Sequence, residues 1–397
     1  MDQREAKNLV KMLPPDFREH YFSLFKEPEP ETLYPELYRK LIDDGTDVII
    51  RHLSEYSRRR RELIRKVKEK IKIKSLNVDE EIAKTRIVAS DAGNNGVDLR
   101  SAFLPLYASA AIVAEGWKIP EDPIFKAGEA DIWFDGFKLD DREALLASKI
   151  QAEVTLEAIE RWKPKAVVFD GTLLLHFWLL PRGGVSKDYQ LDFDQTLNVM
   201  ISLLQTCYER DIPIVGFAKR TRMNQICRRK FKIERMRDTA LLDLVLRLGE
   251  YTLPESEPMK GNVVEEYKKK AEEMKIPKNK SEKFTNIYFS YIKTGLTTPF
   301  RLEIPEYCLD RLDEVGTILY STSEEDGIPF AINEADRLTR ITTSISNIRS
   351  LMLYSKALDL VKSGEMKPED LSLLIPQHGE PWVLRDHEII TGGSKEK

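Results

Sequence analysis

Residues 86–96 read RIVASDAGNNG. A run with strand character, carrying the β-branched Ile87 and Val88, leads into a single carboxylate, Asp91, and the chain then passes into glycine and asparagine, which favour turns. A second stretch has the same build. In KAVVFDGTLL, residues 165–174, a continuous apolar run typical of a strand covered on both faces arrives at Asp170 and Gly171. A carboxylate at the end of a buried strand is costly unless a positive charge pairs with it, and neither aspartate has a lysine or arginine beside it in sequence. A divalent cation would supply that charge, and flanking glycines would let a substrate backbone approach closely. Either aspartate alone is equally well explained by turn formation or helix capping; two of them on neighbouring strands favour a metal.

Working outward, AFLPLYASAAIVAEGW (102–117) and DIWFDGF (131–137) read as two further strands. DREALLASKIQAEVTLEAIERW (141–162) reads as a helix with Leu145, Leu146, Ile150, Val154 and Ala158 on one side. A second helix, FDQTLNVMISLLQTCYER (193–210), leads to another buried strand, IPIVGFAK (212–219). Three strands, then helix, strand, helix, strand predict an α/β fold in which helices flank a mixed sheet, an order that resembles a ribonuclease H-like domain. Lysine and glutamate crowd residues 255–283, which predicts an exposed, charged helical insertion. NIYFSYIKTG and FRLEIPEY follow as a strand pair, and INEADRLTRITTSISNIRSLMLYSKALDLVKSG as one or two helices. The spacing of Leu9, Val10, Leu13, Leu41, Ile42, Ile49 and Ile50 predicts a helical N-terminal region over 1–80, set apart from the main domain over 81–397.

The chain has 397 residues, 42% hydrophobic and 32% charged, enough to bury a large core beneath a charged surface. A net charge of -4 means that any nucleic-acid surface must be a local patch. Two segments qualify. SRRRRELIRKVKEKIKIK, with Arg58, Arg59, Arg60 and Arg61 at its head, is either a solvated helix face or an arm that tracks phosphates. KRTRMNQICRRKFK, with Lys219, Arg220 and Arg222, follows the strand 212–219 and is either a basic loop or one wall of a nucleic-acid groove. Tyr288, Phe289 and Tyr291 could stack bases, although alternation along a strand would turn at least one of them into the core. Cys207, Cys227 and Cys308 are odd in number and lack C-x-x-C spacing, so they suggest neither a disulfide framework nor a zinc knuckle; a reducing cytoplasm is expected. There is no apolar run long enough to span a membrane, no secretory signal in the opening residues, and no P-loop, so ATP-driven motion would come from a partner.

A hard cation needs oxygen ligands, and two ions generally need three or four carboxylates. The helix 141–162 offers Glu143, Glu153 and Glu157. Glu153 borders the apolar side and Glu157 lies one turn further, and sequence does not separate these two. Glu334 and Asp336 fall at the expected start of a later helix, where acidic residues complement the helix dipole without any metal. The five histidines are scattered and none is assigned to a site.

The combination VASDAG, a glutamate-bearing helix, VVFDGTLL, IPIVGFAKRTRMNQI, LRLGEYTL, YIKTG, FRLEIP and GIPFAINEADRLTRI resembles the NurA nucleases of archaea and some bacteria over roughly residues 80–350. That resemblance implies a ribonuclease H-like core, a Mn²⁺-dependent deoxyribonuclease (Mg²⁺ being the other ion of the right hardness), two ions, and degradation of DNA from 5′ ends with endonuclease activity as a further option. It also implies a homodimer and work with the hexameric ATPase HerA in end resection during double-strand break repair. By the same resemblance Asp91, Glu153 and Asp170 match metal-binding carboxylates, and Lys219 and Arg220 match a basic feature. The family often carries a tyrosine and a histidine eight residues apart near the C-terminus, where this chain has Ile328 and Asp336. Asp336 can replace a histidine as a ligand of a hard cation, whereas Ile328 cannot replace a tyrosine hydroxyl. A DNA-end clamp with a decayed site and an RNA-cleaving relative are the competing expectations.

Overall fold

The computed structural model describes residue 40, residues 45–134 and residues 136–374, without the side chains of residues 56, 58, 59, 369, 372 and 373. Most of the expected N-terminal helical pattern and the side chains of Arg58 and Arg59 therefore lie outside the described residues. The chain divides into two compact units between Arg65 and Lys66. Helix α1 (Gly45–Lys70) supplies the described part of the first, with Ile49, Ile50, Arg60 and Arg61 exposed.

In the second unit, nine strands form one mixed sheet. After β1 (Ile73–Ser75) and the short helix α2 (Glu80–Ala83), β2 (Arg86–Asn94) runs inside the sheet, third from one edge. A two-stranded pair, β3 (Val97–Asp98) and β4 (Phe103–Leu104), stands apart from the sheet. β5 (Tyr107–Glu115) pairs antiparallel with β2 over its whole length, and β6 (Ile124–Ala127) borders β5. Helix α3 (Leu139–Trp162) leads to β7 (Ala166–Asp170), parallel to β2, and α4 (Lys187–Glu209) leads to β8 (Ile214–Ala218), parallel to β7. Both of these parallel strands are buried at all five positions, which explains their unbroken apolar sequence. The sheet continues through β9 (Glu250–Thr252), β10 (Ile287–Lys293) and β11 (Phe300–Pro305), giving the order β1-β9-β10-β11-β8-β7-β2-β5-β6.

The third strand of the first half is Ile124–Ala127, not the expected 131–137, where among the described residues only Trp133 forms an isolated bridge, to Phe103. Trp133 packs against Phe103 and Arg142 instead of extending the sheet.

Alternation along the strands divides the core. Val88, Val167 and Phe169 pack beneath α3 and α4, with Leu145, Val154, Leu197 and Ile201. Ile87, Ala89, Val168, Val215 and Phe217 face the other way, against α8 (Leu312–Ser321) and α9 (Phe330–Thr339) through Leu312, Ile318 and Ile332; three further helices, α5 (Asp238–Leu242), α6 (Asn262–Glu273) and α7 (Lys278–Thr285), come earlier in the chain, and α10 (Thr343–Lys362) follows. Within residues 255–283 the chain is helical from Asn262 to Glu273 and again from Lys278, but α6 is not simply an exposed insertion: Val263, Val264, Tyr267 and Ala271 sit in the core beside α4, and Tyr267 is fully buried. A 3.6-residue period carried by only a few apolar side chains is easily hidden among lysines and glutamates. Among the described residues no helix is long and apolar enough to cross a membrane.

Candidate metal centre

Strand alternation delivers the site. Asp91 lies two residues beyond Ala89, Asp170 two beyond Val168 and Lys219 two beyond Phe217, so the period of two turns all three toward the face covered by α9. Ser90 pairs with Phe169 in the parallel register, which sets Asp91 and Asp170 side by side on adjacent strands. Helix α9 crosses this face and adds Asp336 and Thr339. The Thr339 hydroxyl donates to Asp91 Oδ2 at 2.8 Å. Close approach is possible because of Gly93: a Cβ there would stand 2.1 Å from the Thr339 carbonyl oxygen. The glycine after Asp91 thus admits a helix of the same chain, and β2 continues to Asn94 instead of turning at once. Gly171, at φ +103 with open space around its Cβ position, provides the sharp exit after Asp170.

Asp91, Asp170 and Asp336 each offer a carboxylate oxygen, and these atoms lie within 4.8 Å of one another. The Lys219 ammonium sits among them, 2.6 Å from Asp170 Oδ2 and 2.8 Å from Asp336 Oδ1. The contact with Asp170 is an ion pair without hydrogen-bond alignment, so this buried oxygen has no aligned donor. Burial, then the neighbouring Asp91 charge, pushes the Asp170 carboxyl up to about 8. Burial also raises Asp91, against the Thr339 hydrogen bond and the Lys219 charge. Burial would lower Lys219, but Asp170, Asp336 and Asp91 outweigh it and hold the ammonium above its ordinary value. Asp336 is less buried, and hydrogen bonds from Lys219 and Arg340 overcome its desolvation and keep it below the usual carboxylate range.

The donor set fits a hard divalent cation: three oxygen ligands of high charge density, one of them buried and poorly satisfied, around a position where the chain now places its own cation. Asp336 strengthens the case. Helix α9 begins at Phe330 and ends at Thr339, so Asp336 lies in its last turn and not its first. The dipole there disfavours an anion, which removes the structural explanation available from sequence.

A family model described as NurA domain matches residues 59–341. The chain belongs to the NurA family. Its fold is similar to that of the NurA nuclease from Sulfolobus solfataricus, with a TM-score of 0.60 at 14% identity over 85% of this chain and 100% of that one. A NurA structure with manganese gives a TM-score of 0.52 at 12% identity over 81% and 98% of the two chains, and one bound to dAMP and manganese 0.50 at 12% over 78% and 94%. At such identities the likeness establishes a shared NurA fold. No curated protein matches the chain.

Of the carboxylates expected in this NurA site, Asp91, Asp170 and Asp336 come together and Glu153 does not. Helix α3 packs on the opposite face of the sheet, where Gln151 donates to the carbonyls of Ser90 and Asp170, and Thr155 to the Ser90 hydroxyl. Glu153 is about 200° around the helix from Gln151 and forms an ion pair with Lys126 on β6. Glu157 is exposed. Glu153→Gln is therefore expected to leave metal-dependent activity within about twofold of the wild type, as for a partly exposed ion pair, in a side-by-side rate measurement. The buried acid of α3 is Glu143, 2% exposed, which accepts from Asn94 Nδ2, Gly96 N and Leu106 N and so fixes the loop beyond β2. Its burial pushes its carboxyl up against those bonds. Glu334 pairs with Arg337.

Lys219 belongs to the carboxylate cluster, whereas Arg220, Arg222 and Arg228 border a groove of about 1240 Å³ with the three aspartates in its lining. Phe289 and Tyr291 are core residues, 3% and 0% exposed, so they offer no stacking surface. Ile328 is half-buried against the core beneath α8 and α9.

Proposed function

We propose that this chain is a metal-dependent deoxyribonuclease that hydrolyses phosphodiester bonds in the groove above Asp91, Asp170 and Asp336. The observation that carries the reading is the convergence of these three carboxylates, from β2, β7 and α9, at the base of an arginine-bordered groove. A bound Mn²⁺ or Mg²⁺ supplies Lewis acidity toward the phosphate and lowers the pKa of water for in-line attack. Asp91, Asp170 and Asp336 would hold the ion, and Thr339 fixes the Asp91 carboxylate through its hydroxyl. A second ion, if held, would draw on the same carboxylates, Asp91, Asp170 and Asp336. Arg220, Arg222 and Arg228 are exposed on the groove border, where they can neutralise the substrate backbone. Lys219 balances the carboxylates when the ion is absent and is free to meet the phosphate when it is present.

The strand order β6-β5-β2-β7-β8, with β5 antiparallel to its neighbours and two helical crossovers, supports a ribonuclease H-like core within the larger sheet. Family membership supports the wider reading: a nuclease domain reaching from about residue 81 onward behind a basic helical N-terminal region, acting in the cytoplasm as a homodimer on 5′ DNA ends together with a HerA-type hexameric ATPase.

Labelled single-stranded DNA, duplex DNA and RNA incubated with Mn²⁺, Mg²⁺ or EDTA test this. Cleavage of DNA with either ion and none in EDTA is expected; binding without cleavage under every condition would contradict it. Within that assay, Asp336→Asn should lower the rate by about 100-fold, roughly 2.7 kcal/mol of transition-state stabilisation. Asp336→His, which keeps a lone-pair donor, should retain Mn²⁺-dependent cleavage. Wild-type rates in both variants would remove Asp336 from the site.

A further inference from the structure

The chain that leaves Asp170 builds a second feature in the same groove. Residues 171–175 are held from below: Glu303 on β11 accepts from the Leu173 and Leu174 amides at 2.8 and 3.3 Å, and the buried Tyr267 hydroxyl donates to the Leu173 carbonyl at 3.0 Å and accepts from the Leu175 amide at 3.2 Å. The next turn, Phe177–Leu179, is a 3₁₀ helix pinned by buried Leu179 and Leu180, by the Tyr189 hydroxyl on the Leu179 carbonyl at 2.8 Å, and by Lys138 on the Trp178 carbonyl. Anchored backbone thus presents two large aromatics to solvent, Phe177 at 62% exposure and Trp178 at 46%. The His176 ring stacks on Trp178 with centroids 4.2 Å apart and planes 11° from parallel, and Phe177 meets Trp178 edge-on.

We propose that His176, Phe177 and Trp178 form a base-stacking shelf for an unpaired nucleotide adjoining the phosphate held over the aspartates. The inference deepens the nuclease reading and rests on it. Three observations choose the occupant. The shelf and the three carboxylates line one continuous groove, whose volume of about 1240 Å³ exceeds the roughly 300–1,000 Å³ of sites that enclose a single small molecule and suits a length of chain. The border of that groove carries Arg220, Arg222 and Arg228, so its charge complements a polyanion. Phe177 follows Asp170 by seven residues, at most about 25 Å of extended chain, which keeps the shelf within a few nucleotides of the reacting bond. Exposed aromatic faces beside a basic groove accept any base without reading its edges, and only bases that are not already stacked in a duplex can use them.

The test compares a single-stranded oligodeoxynucleotide with an abasic strand of the same phosphate count, bound in EDTA to wild type, Trp178→Phe and the double variant Phe177→Ala/Trp178→Ala, with thermal melting as the check on folding. The wild type should bind the abasic strand about 10-fold more weakly, the double variant should bind the normal strand about 10-fold more weakly and show no further loss on the abasic one, and Trp178→Phe should stay close to wild type. Equal losses by the double variant on both strands, or none on either, would overturn the shelf. So would a change in oligomeric state with unchanged strand binding, since that would make the aromatics an interface between copies. Mn²⁺-dependent cleavage of the normal strand by the wild type separates the two claims: with that activity present, a failed strand comparison overturns the shelf alone, and without it the nuclease reading falls and the shelf with it.

Discussion

Asp91→Asn is expected to lower DNA cleavage by at least about 1,000-fold, some 4 kcal/mol of transition-state stabilisation, while strand binding changes little. The substitution keeps the shape of the side chain and a partner for the Thr339 hydroxyl, so the contact between β2 and α9 survives. What it removes is a ligand charge. Burial holds the Asp91 carboxyl above its ordinary value, so its ionisation counts against the folded state as pH rises through that value. Asparagine has no such cost, and the metal-free variant should melt no lower than wild type at neutral pH. Loss of activity together with unchanged or higher thermal stability separates a ligand from a structural carboxylate. A rate above about a tenth of wild type would be too high for a residue that holds the ion.

Lys219→Met should produce the largest stability effect. The ammonium is the near neighbour that balances Asp170, whose side chain is 6% exposed, and Asp336, at 30%. Breaking a buried pair by removing one partner typically costs about 3–5 kcal/mol while the remaining group stays charged; burial pushes the Asp170 carboxyl up to about 8, so below that pH it takes up a proton instead and the loss is small. In EDTA the variant should therefore melt well below wild type at alkaline pH and close to it at neutral pH. A divalent ion would replace the missing charge, so Mn²⁺ should raise the melting temperature of Lys219→Met by more than it raises that of the wild type. Equal responses would mean that the lysine and the ion do not share the same carboxylates.

The sequence carried β2, β7 and two of the three clustered carboxylates because strand signals there are local: VASDAG and VVFDGT each show an apolar run, a carboxylate and a glycine within a few residues. It also carried Asp336, but with the wrong local setting, since α9 starts at Phe330 and takes that aspartate away from the favourable end of the dipole. Glu153 lies away from the three aspartates, which sequence does not show because the apolar stripe of α3 says which side is buried and not which face of the sheet it covers; that depends on the β2–β7 register and the crossover. From sequence Lys219 is expected only as a phosphate contact, because nothing in KRTRMNQI reveals that the period of two along β8 also points its first residue at Asp170. The shelf was hidden differently. HFWLL reads as core, and only the turn Phe177–Leu179, which buries Leu179 and exposes Phe177 and Trp178, distinguishes the two roles. Ile328 packs against the core, and the three carboxylates come together without it.

If Asp91, Asp170 and Asp336 hold one divalent ion where Lys219 now sits, crystals grown with Mn²⁺ and measured at a wavelength where manganese scatters anomalously should show an anomalous peak bounded by the three carboxylates, with the Lys219 ammonium displaced from Asp170. An empty cluster with the Lys219 ion pairs intact, at a Mn²⁺ concentration that supports cleavage, would mean that these carboxylates do not hold the ion.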